Sequence, residues 1–195
     1  MYFLCSQWGG EKRVAVTFKF FIYTFIGSLL MLISILYLYG RTPDHSFFIL
    51  SFYNLKLTSK QQSIPFWLMF VAFAVKMPIF PVHTWQPDTY EQAPTSTTMI
   101  LSGVMVKMGV FGLIRWLFPI FSTASFVWGD VITLITIIGM IYASLIALRQ
   151  DDLKRLVAYS SIAHIGLLCA GMFTQNASGM QGVMIQMFSH GINII

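Results

Sequence analysis

The stretch "FAVKMPIFPVHTWQPDTYEQAPTS", residues 73–96, decides the fold because it ends an apolar run with a charged residue and two helix breakers. Lys76 is followed by Pro78 and Pro81, and a proline has no backbone N–H for the hydrogen-bond ladder of a helix. The helix is therefore predicted to break just after Lys76. Broken helices at membrane depth occur where freed backbone groups line a cavity or meet a neighbouring helix, as at the ion sites of transporters.

The chain around this stretch is far more apolar than a soluble globular domain. Of its 195 residues, 56% are hydrophobic and 10% are charged, and the mean hydropathy is +0.72. About 20 consecutive apolar residues cross a bilayer. The predicted spans are Phe20–Tyr39, Pro65–Phe80 with its broken continuation, Thr97–Phe118, Val127–Leu148, Leu156–Phe173 and Met180–Ile195.

These spans predict an all-α integral membrane protein with a single membrane domain over residues 1–195. We expect a polytopic bundle of about six transmembrane helices, one of them broken at Pro78 and Pro81. The sixth span stops in mid-run, so the chain is expected to be a fragment of a longer protein. The connector over residues 41–64 is predicted to be an ordinary polar loop.

The net charge of +5 reflects membrane topology, because Lys and Arg lie mainly at the ends of spans and form no nucleic-acid-binding patch. If successive spans cross the membrane in alternating directions, one side of the membrane receives more cations than the other. The turn in residues 83–94 lies on that same side, which the positive-inside rule makes cytoplasmic. The cations of this side are Lys12, Arg13, Lys19, Arg149, Lys154 and Arg155, and those of the other are Arg41, Lys56, Lys60 and Arg115.

Four lysine and histidine side chains lie well inside predicted spans, more than three residues from the span ends, where a charge costs about 2.5–3.5 kcal/mol on insertion scales and usually faces the protein interior. They are Lys76, Lys107, His164 and His190. Each has a structural alternative: Lys76 can snorkel to the headgroups, Lys107 can pair with a carboxylate, and a histidine can be a packing residue. Two lysines and two histidines on separate spans favour a hydrophilic axis that carries protons.

The backbone at the break supports the functional interpretation of Lys76. Pro78 and Pro81 leave the carbonyl groups of Ala74 and Met77 without helical donors, and an ammonium group beside them would have partners. No residues have the spacing of a metal site, a glycine-rich phosphate loop or a nucleophile with its base. The sequence therefore predicts no covalent chemistry, no cofactor and no metal in this chain.

Three segments resemble a known family. They are "FAVKMPIFPVHTWQPDTYEQAPTSTTMILSGVMVKMGVFGLIRW", "LRQDDLKRLVAYSSIAHIGLL" and "QGVMIQMFSHGI". In this order they resemble the proton-translocating antiporter-like membrane subunits of respiratory complex I, in particular the chain 4 (chain M) family of NADH-quinone oxidoreductase. The segments depart from the family pattern at Gln86 and Tyr90, where that pattern has Leu and His.

The resemblance implies a fold of about fourteen helices built from two inverted five-helix repeats, each with a broken helix. Residues 18–118 would end the first repeat and residues 127–195 would begin the second. Lys76 would be the lysine of the first broken helix, Lys107 that of the next helix, and His164 and His190 the connecting histidines. The family's glutamate partner of Lys76 would precede Phe20 and is not in this chain.

The implied function is proton pumping driven by NADH oxidation and quinone reduction elsewhere in the complex. FMN, iron–sulfur clusters and quinone would bind to other subunits, and the partners would be neighbouring antiporter-like membrane subunits and the lipid bilayer. A bacterial plasma membrane is expected, with an organellar inner membrane as the second location. Two alternatives stay open, namely a subunit of a cation/proton antiporter or energy-converting hydrogenase, and a structural membrane scaffold.

Overall fold

The computed structural model describes residues 1–193, and every regular element within them is helical. This confirms the predicted all-α class, while residues 194 and 195 of the sixth predicted span lie outside the described residues. The helices are α1 (Tyr2–Trp8), α2 (Arg13–Arg41), α3 (Ile49–Tyr53), α4 (Ser59–Lys76), α5 (Trp85–Gln92), α6 (Thr95–Ile120), α7 (Ser122–Ala147), α8 (Leu153–Phe173) and α9 (Ala177–Asn193).

Four helices among residues 1–193 are long and apolar enough to cross a membrane, namely α2, α6, α7 and α8. The apolar segments of α6 and α8 are 44% and 50% buried, whereas those of α2 and α7 are only 17% and 22% buried. Because the outer faces of α2 and α7 are apolar, they suit contact with lipid or with other membrane helices. The chain is therefore an integral membrane protein, with α6 and α8 nearer its interior.

The prediction of a polar loop over residues 41–64 is wrong. This segment contains the short helix α3, and α4 already begins at Ser59. The early start has a local cause, because the backbone N–H of Thr58 donates to Oε1 of Gln61 at 3.1 Å and the reciprocal bond completes a capping box. Polar residues thus form the first turn of a helix whose later turns are apolar.

Helix α4 supplies much of the core. Phe66 and Met69 are fully buried, and Phe73 is 6% exposed. Helix α2 packs along α4, where the Ser34 hydroxyl donates to the Pro65 carbonyl at 2.8 Å. Helix α7 packs along α8 in the same way. The two helix pairs share one apolar core that also includes side chains of α6 and α9.

The end of α4 differs in detail from the sequence prediction. Turns over residues 77–84 connect α4 to α5, but the Ala74 carbonyl is not left open, because it accepts from the Ile79 N–H at 3.0 Å. The carbonyl of Val75 accepts from Nε1 of Trp85 at 2.9 Å. A backbone amide therefore satisfies the Ala74 carbonyl, and an indole satisfies the Val75 carbonyl. The predicted free carbonyl group at Ala74 is thus not available as a partner for the Lys76 ammonium group.

Candidate proton-transfer site

The site is built around a widened turn in the middle of α6. Residues Leu101–Met105 form a π-helical turn, a feature that often occurs at functional positions. Lys107 follows this turn and is half-buried. Its Nζ donates to the carbonyl of Ser102 at 2.6 Å, which anchors the lysine head within its own helix. The π-helical turn cannot be predicted from the sequence, because hydrophobic periodicity does not separate one wide turn from an α-helical one.

His190 of α9 is the second partner of Lys107. The Lys107 Nζ lies 2.7 Å from His190 Nδ1, and the imidazole is only 3% exposed. An ammonium group has donors only, so Nδ1 accepts here and the neutral imidazole carries its proton on Nε2. Within residues 1–193, Nε2 is buried without a hydrogen-bond partner. The ring therefore faces Lys107 with one nitrogen and keeps the other free for a further contact.

His164 of α8 extends this cluster. Its ring centroid lies 5.7 Å from that of His190, in an edge-to-face arrangement, and Nε2 of Gln186 lies 3.3 Å from its Nδ1. Both histidines line a cavity of about 190 Å³ together with Ser160 and Ser161. A cavity with these polar walls can hold bridging water. Lys107, His190 and His164 thus form a polar cluster across α6, α9 and α8, in which the two histidines meet through their rings and the shared cavity.

Lys76 stands apart from this cluster. It is the last residue of α4 and is half-buried, and its Nζ has no hydrogen-bond partner within residues 1–193. A Cβ placed on Gly109 of α6 would lie 3.4 Å from the Lys76 Cβ, so the stem of the lysine packs against α6 close to Lys107. The structure therefore brings together three of the four predicted residues and leaves the Lys76 ammonium group separate.

An ion-pair cluster at α5 was missed by the sequence analysis. Asp88 binds Lys19 of α2 at 2.7 Å and Arg155 of α8 at 3.4 Å, and Arg155 also binds Glu91 at 2.7 Å. The distribution of charges along the chain indicates only that both cations lie on the same side of the membrane as this segment. The spacing of Asp88 and Glu91, three residues apart on one helix face, is the signal that could have revealed it.

Gln86 and Tyr90 form a second arrangement that the sequence did not reveal. Both side chains are fully buried, and Nε2 of Gln86 donates to the Tyr90 hydroxyl at 2.8 Å. Their i, i+4 spacing puts them on one face of α5, but only the packing of α5 against its neighbours buries that face. Much of the segment expected to be a turn, residues 83–94, is therefore a packed helix with a buried hydrogen bond.

The helices, together with the cluster of Lys107, His190 and His164, define the class of this protein. It is a polytopic integral membrane protein with titratable side chains gathered between its helices. The sequence profile of the family described as "NADH:quinone oxidoreductase/Mrp antiporter, TM" matches residues 1–194. The chain belongs to this family.

Curated relatives include NADH-quinone oxidoreductase subunit M of Rickettsia felis, which is 42% identical over 192 residues, covering 98% of this chain and 39% of the relative. NADH-ubiquinone oxidoreductase chain 4 of Chondrus crispus is 40% identical over 194 residues, with coverage of 98% and 39%. The chain thus spans about two fifths of the length of these relatives.

Solved structures with the same fold include a chain of respiratory complex I from Thermus thermophilus, with a TM-score of 0.91 and 25% identity over 99% of this chain and 41% of that chain. A chain of an archaeal membrane-bound sulfane sulfur reductase has a TM-score of 0.85 and 26% sequence identity, and the match covers 99% of this chain and 40% of that chain. A chain of the Mrp complex from Dietzia sp. has a TM-score of 0.86 and 18% sequence identity, and the match covers 99% of this chain and 36% of that chain. At this identity the match is evidence for a shared fold only.

Proposed function

We propose that this chain belongs to a proton-translocating membrane subunit of NADH:quinone oxidoreductase. The observation that carries the proposal is the contact between Lys107 and His190, which His164 extends toward a polar cavity. Curated relatives at about 40% identity are named as subunit M or chain 4 of that enzyme, which supports this choice within the family. Redox chemistry would take place in other subunits, where FMN, iron–sulfur clusters and quinone bind.

The proton steps follow from the geometry of the cluster. A charged Lys107 passes one proton from Nζ to Nδ1 of His190 across the 2.7 Å contact, which leaves a neutral amine and an imidazolium. The imidazolium then releases the proton on Nε2 toward water in the cavity beside His164. The neutral ring then carries its proton on Nδ1, and it can accept from Lys107 again only after water has taken the Nδ1 proton and returned one to Nε2. No covalent bond other than N–H and O–H bonds changes.

Lys76 has a different role in this proposal. Its ammonium group has no partner among the described residues, so its charge is available to a carboxylate supplied by another part of the full-length protein. A lysine that gains or loses such a partner changes its affinity for a proton. Redox energy released elsewhere in the complex would drive this change, and the Lys76 stem beside Gly109 would transmit it to the helix that carries Lys107.

The finer architecture belongs to the same proposal. Helices α4 and α5 would be the two halves of one transmembrane helix broken near Pro78 and Pro81. The whole subunit would have about fourteen helices in two inverted repeats, with residues 18–118 in the first and residues 127–195 in the second. Its partners would be the neighbouring antiporter-like subunits, in a bacterial plasma membrane or an organellar inner membrane.

A second candidate is a subunit of another cation- or proton-translocating respiratory complex. The structural likeness supports it, because the sulfane sulfur reductase chain is as similar in sequence to this chain, at 26%, as the complex I chain is at 25%. Translocation that follows the sodium gradient and survives without NADH oxidation would favour this candidate. The names of the curated relatives favour the first.

The test compares alanine substitutions in the full-length protein assembled in its host membrane. We expect Lys107→Ala and Lys76→Ala to leave assembly and NADH oxidation largely intact and to remove most proton uptake by this subunit. Lys60→Ala is the matched control, because Lys60 is an exposed lysine in the first turn of α4. Proton uptake is followed in membrane vesicles and normalised to the assembled complex. Normal uptake by both test variants would refute the proposal.

A further inference from the structure

The cavity beside His164 and His190 contains two buried polar atoms that no hydrogen bond satisfies. Within residues 1–193, Nε2 of His190 and Oγ of Ser161 have no partner, and these residues are only 3% and 1% exposed. Both residues line the cavity, whose walls also include His164, Gln186 and Asn193. A buried polar atom costs free energy unless it has a partner, so each unpaired atom indicates a place for a ligand. The proton steps above give the oxygen-bearing walls no role.

The two imidazoles have the spacing of a metal-binding pair. Their ring centroids lie 5.7 Å apart, and the ring planes are inclined by 71°. Two imidazoles that bind one Zn²⁺ through bonds of about 2.0–2.1 Å at a tetrahedral angle have their centroids about 5–6 Å apart. The cavity of about 190 Å³ has room for the ion and for water ligands, at about 30 Å³ per water. Spacing along the chain gives no sign of this pair, because the rings meet only through the packing of α8 against α9.

Each ring has a nitrogen lone pair that a metal ion can use. In His164 the lone pair lies on Nδ1, whose neighbour is Nε2 of Gln186 at 3.3 Å, a long contact that the amide can exchange for an ion. In His190 the lone pair faces Lys107 while the lysine is charged. After Lys107 has passed its proton and Nε2 has released it, the ring carries its proton on Nδ1 and the lone pair is on Nε2. The neutral Lys107 amine then accepts from Nδ1–H, and Nε2 is free to bind a metal.

We propose that His164 and His190 form an inhibitory binding site for Zn²⁺. One nitrogen of each ring binds the ion, and oxygen atoms of the cavity wall or water complete its coordination. Imidazole suits Zn²⁺, whereas Mg²⁺ prefers oxygen ligands and keeps its water. The bound ion occupies Nε2 of His190, so no proton can return to this nitrogen and the ring cannot accept from Lys107 again. The inhibition rests on the proposed function, but the binding of the ion does not.

The first experiment titrates Zn²⁺ against proton uptake in vesicles that contain the full-length, assembled protein. We expect Zn²⁺ to stop most uptake by this subunit, a chelator to restore it, and Mg²⁺ to leave it unchanged. The residual uptake of His164→Gln should need about 10- to 100-fold more Zn²⁺ for the same fractional inhibition, a loss that is usual even for groups that only support a metal ligand. His45→Gln is the matched control, because His45 is exposed and should leave the zinc sensitivity unchanged.

Three results of this titration would overturn the zinc site. The first is full uptake by the unsubstituted protein in excess Zn²⁺, which requires no variant to fold. The second is equal inhibition by Mg²⁺, because a site built on imidazole must distinguish the two ions. The third is the same zinc sensitivity in His164→Gln and in the unsubstituted protein, because the ion would then act elsewhere in the complex.

The second experiment counts bound zinc without reference to transport. The purified, assembled complex is dialysed to equilibrium against Zn²⁺, and its metal content is measured. We expect the double variant of His164→Gln and His190→Gln to bind one zinc ion fewer per complex than the unsubstituted protein, and His45→Gln to bind the same number. Equal zinc content in the double variant would overturn the site. If Lys107→Ala and Lys76→Ala both keep full uptake, the proposed function is refuted, whereas the loss of one bound ion would still establish the site.

Discussion

Replacement of His190 by glutamine separates a proton relay from a hydrogen-bonded scaffold. His190 supplies one of the two acceptors that hold the Lys107 Nζ, at 2.7 Å, and the Ser102 carbonyl supplies the other at 2.6 Å. A glutamine oxygen can replace the imidazole nitrogen as an acceptor, but the amide does not titrate near neutral pH. A scaffold should therefore survive His190→Gln, whereas a relay should not.

The magnitude follows from the lost proton carrier, because the glutamine keeps the contact. Proton transfer by a positioned side chain contributes about 100- to 10,000-fold to a rate. The ring of His164 lies 5.7 Å from that of His190 across a water-sized cavity, so water can carry part of the flux past a single missing imidazole. We therefore expect about a tenfold loss of proton uptake in His190→Gln and a larger loss when His164→Gln is added.

The assay is NADH-driven proton uptake in membrane vesicles, normalised to the amount of assembled complex. The matched control is His45→Gln, the same substitution at an exposed histidine between α2 and α3. His190→Leu, which removes the acceptor as well, should also lower the thermal stability of the complex. Full uptake by the double glutamine variant would refute the relay and assign both histidines to packing.

Three further predictions concern Lys107, Asp88 and Gly139. Lys107→Arg should stop proton uptake although it keeps the positive charge, because a guanidinium group does not deprotonate in proteins; normal uptake would contradict the proton steps at Lys107. Asp88→Asn removes two ion pairs of α5 and should lower the free energy of unfolding by about 0.5–1 kcal/mol. Thermal unfolding is compared with that of Asp130→Asn, which changes an exposed carboxylate on α7. Equal unfolding midpoints of the two variants would contradict this prediction. Gly139→Ala should cost about 1–3 kcal/mol, because its Cβ would lie 2.6 Å from the Phe80 Cβ. Gly182→Ala, which meets nothing within 4 Å, should be neutral or stabilising in the same melting experiment, and equal effects of the two alanines would refute the packing argument.

The sequence alone determined the class of fold, because only a few kinds of secondary structure can cross a bilayer. A span must satisfy its own backbone, so long apolar runs such as Val127–Leu148 could only be helices. The same logic selected Lys76, Lys107, His164 and His190, since a titratable residue inside such a run is costly and needs a partner. Three of these four residues lie in one cluster, and this agreement comes from the cost of burial rather than from any spacing along the chain.

Only the tertiary structure decided which partners these residues have. Lys107 and His190 are 83 positions apart, and their contact depends on how α6 and α9 pack. The π-helical turn that presents the Ser102 carbonyl has the same hydrophobic pattern as an ordinary turn, so the sequence did not indicate it. Asp88 and Glu91 of α5 are bound by Lys19 of α2 and Arg155 of α8. From the sequence, these two cations could be assigned only to one end of the bundle. Periodicity gives the buried face of each helix, and long-range packing alone sets which side chains meet across it.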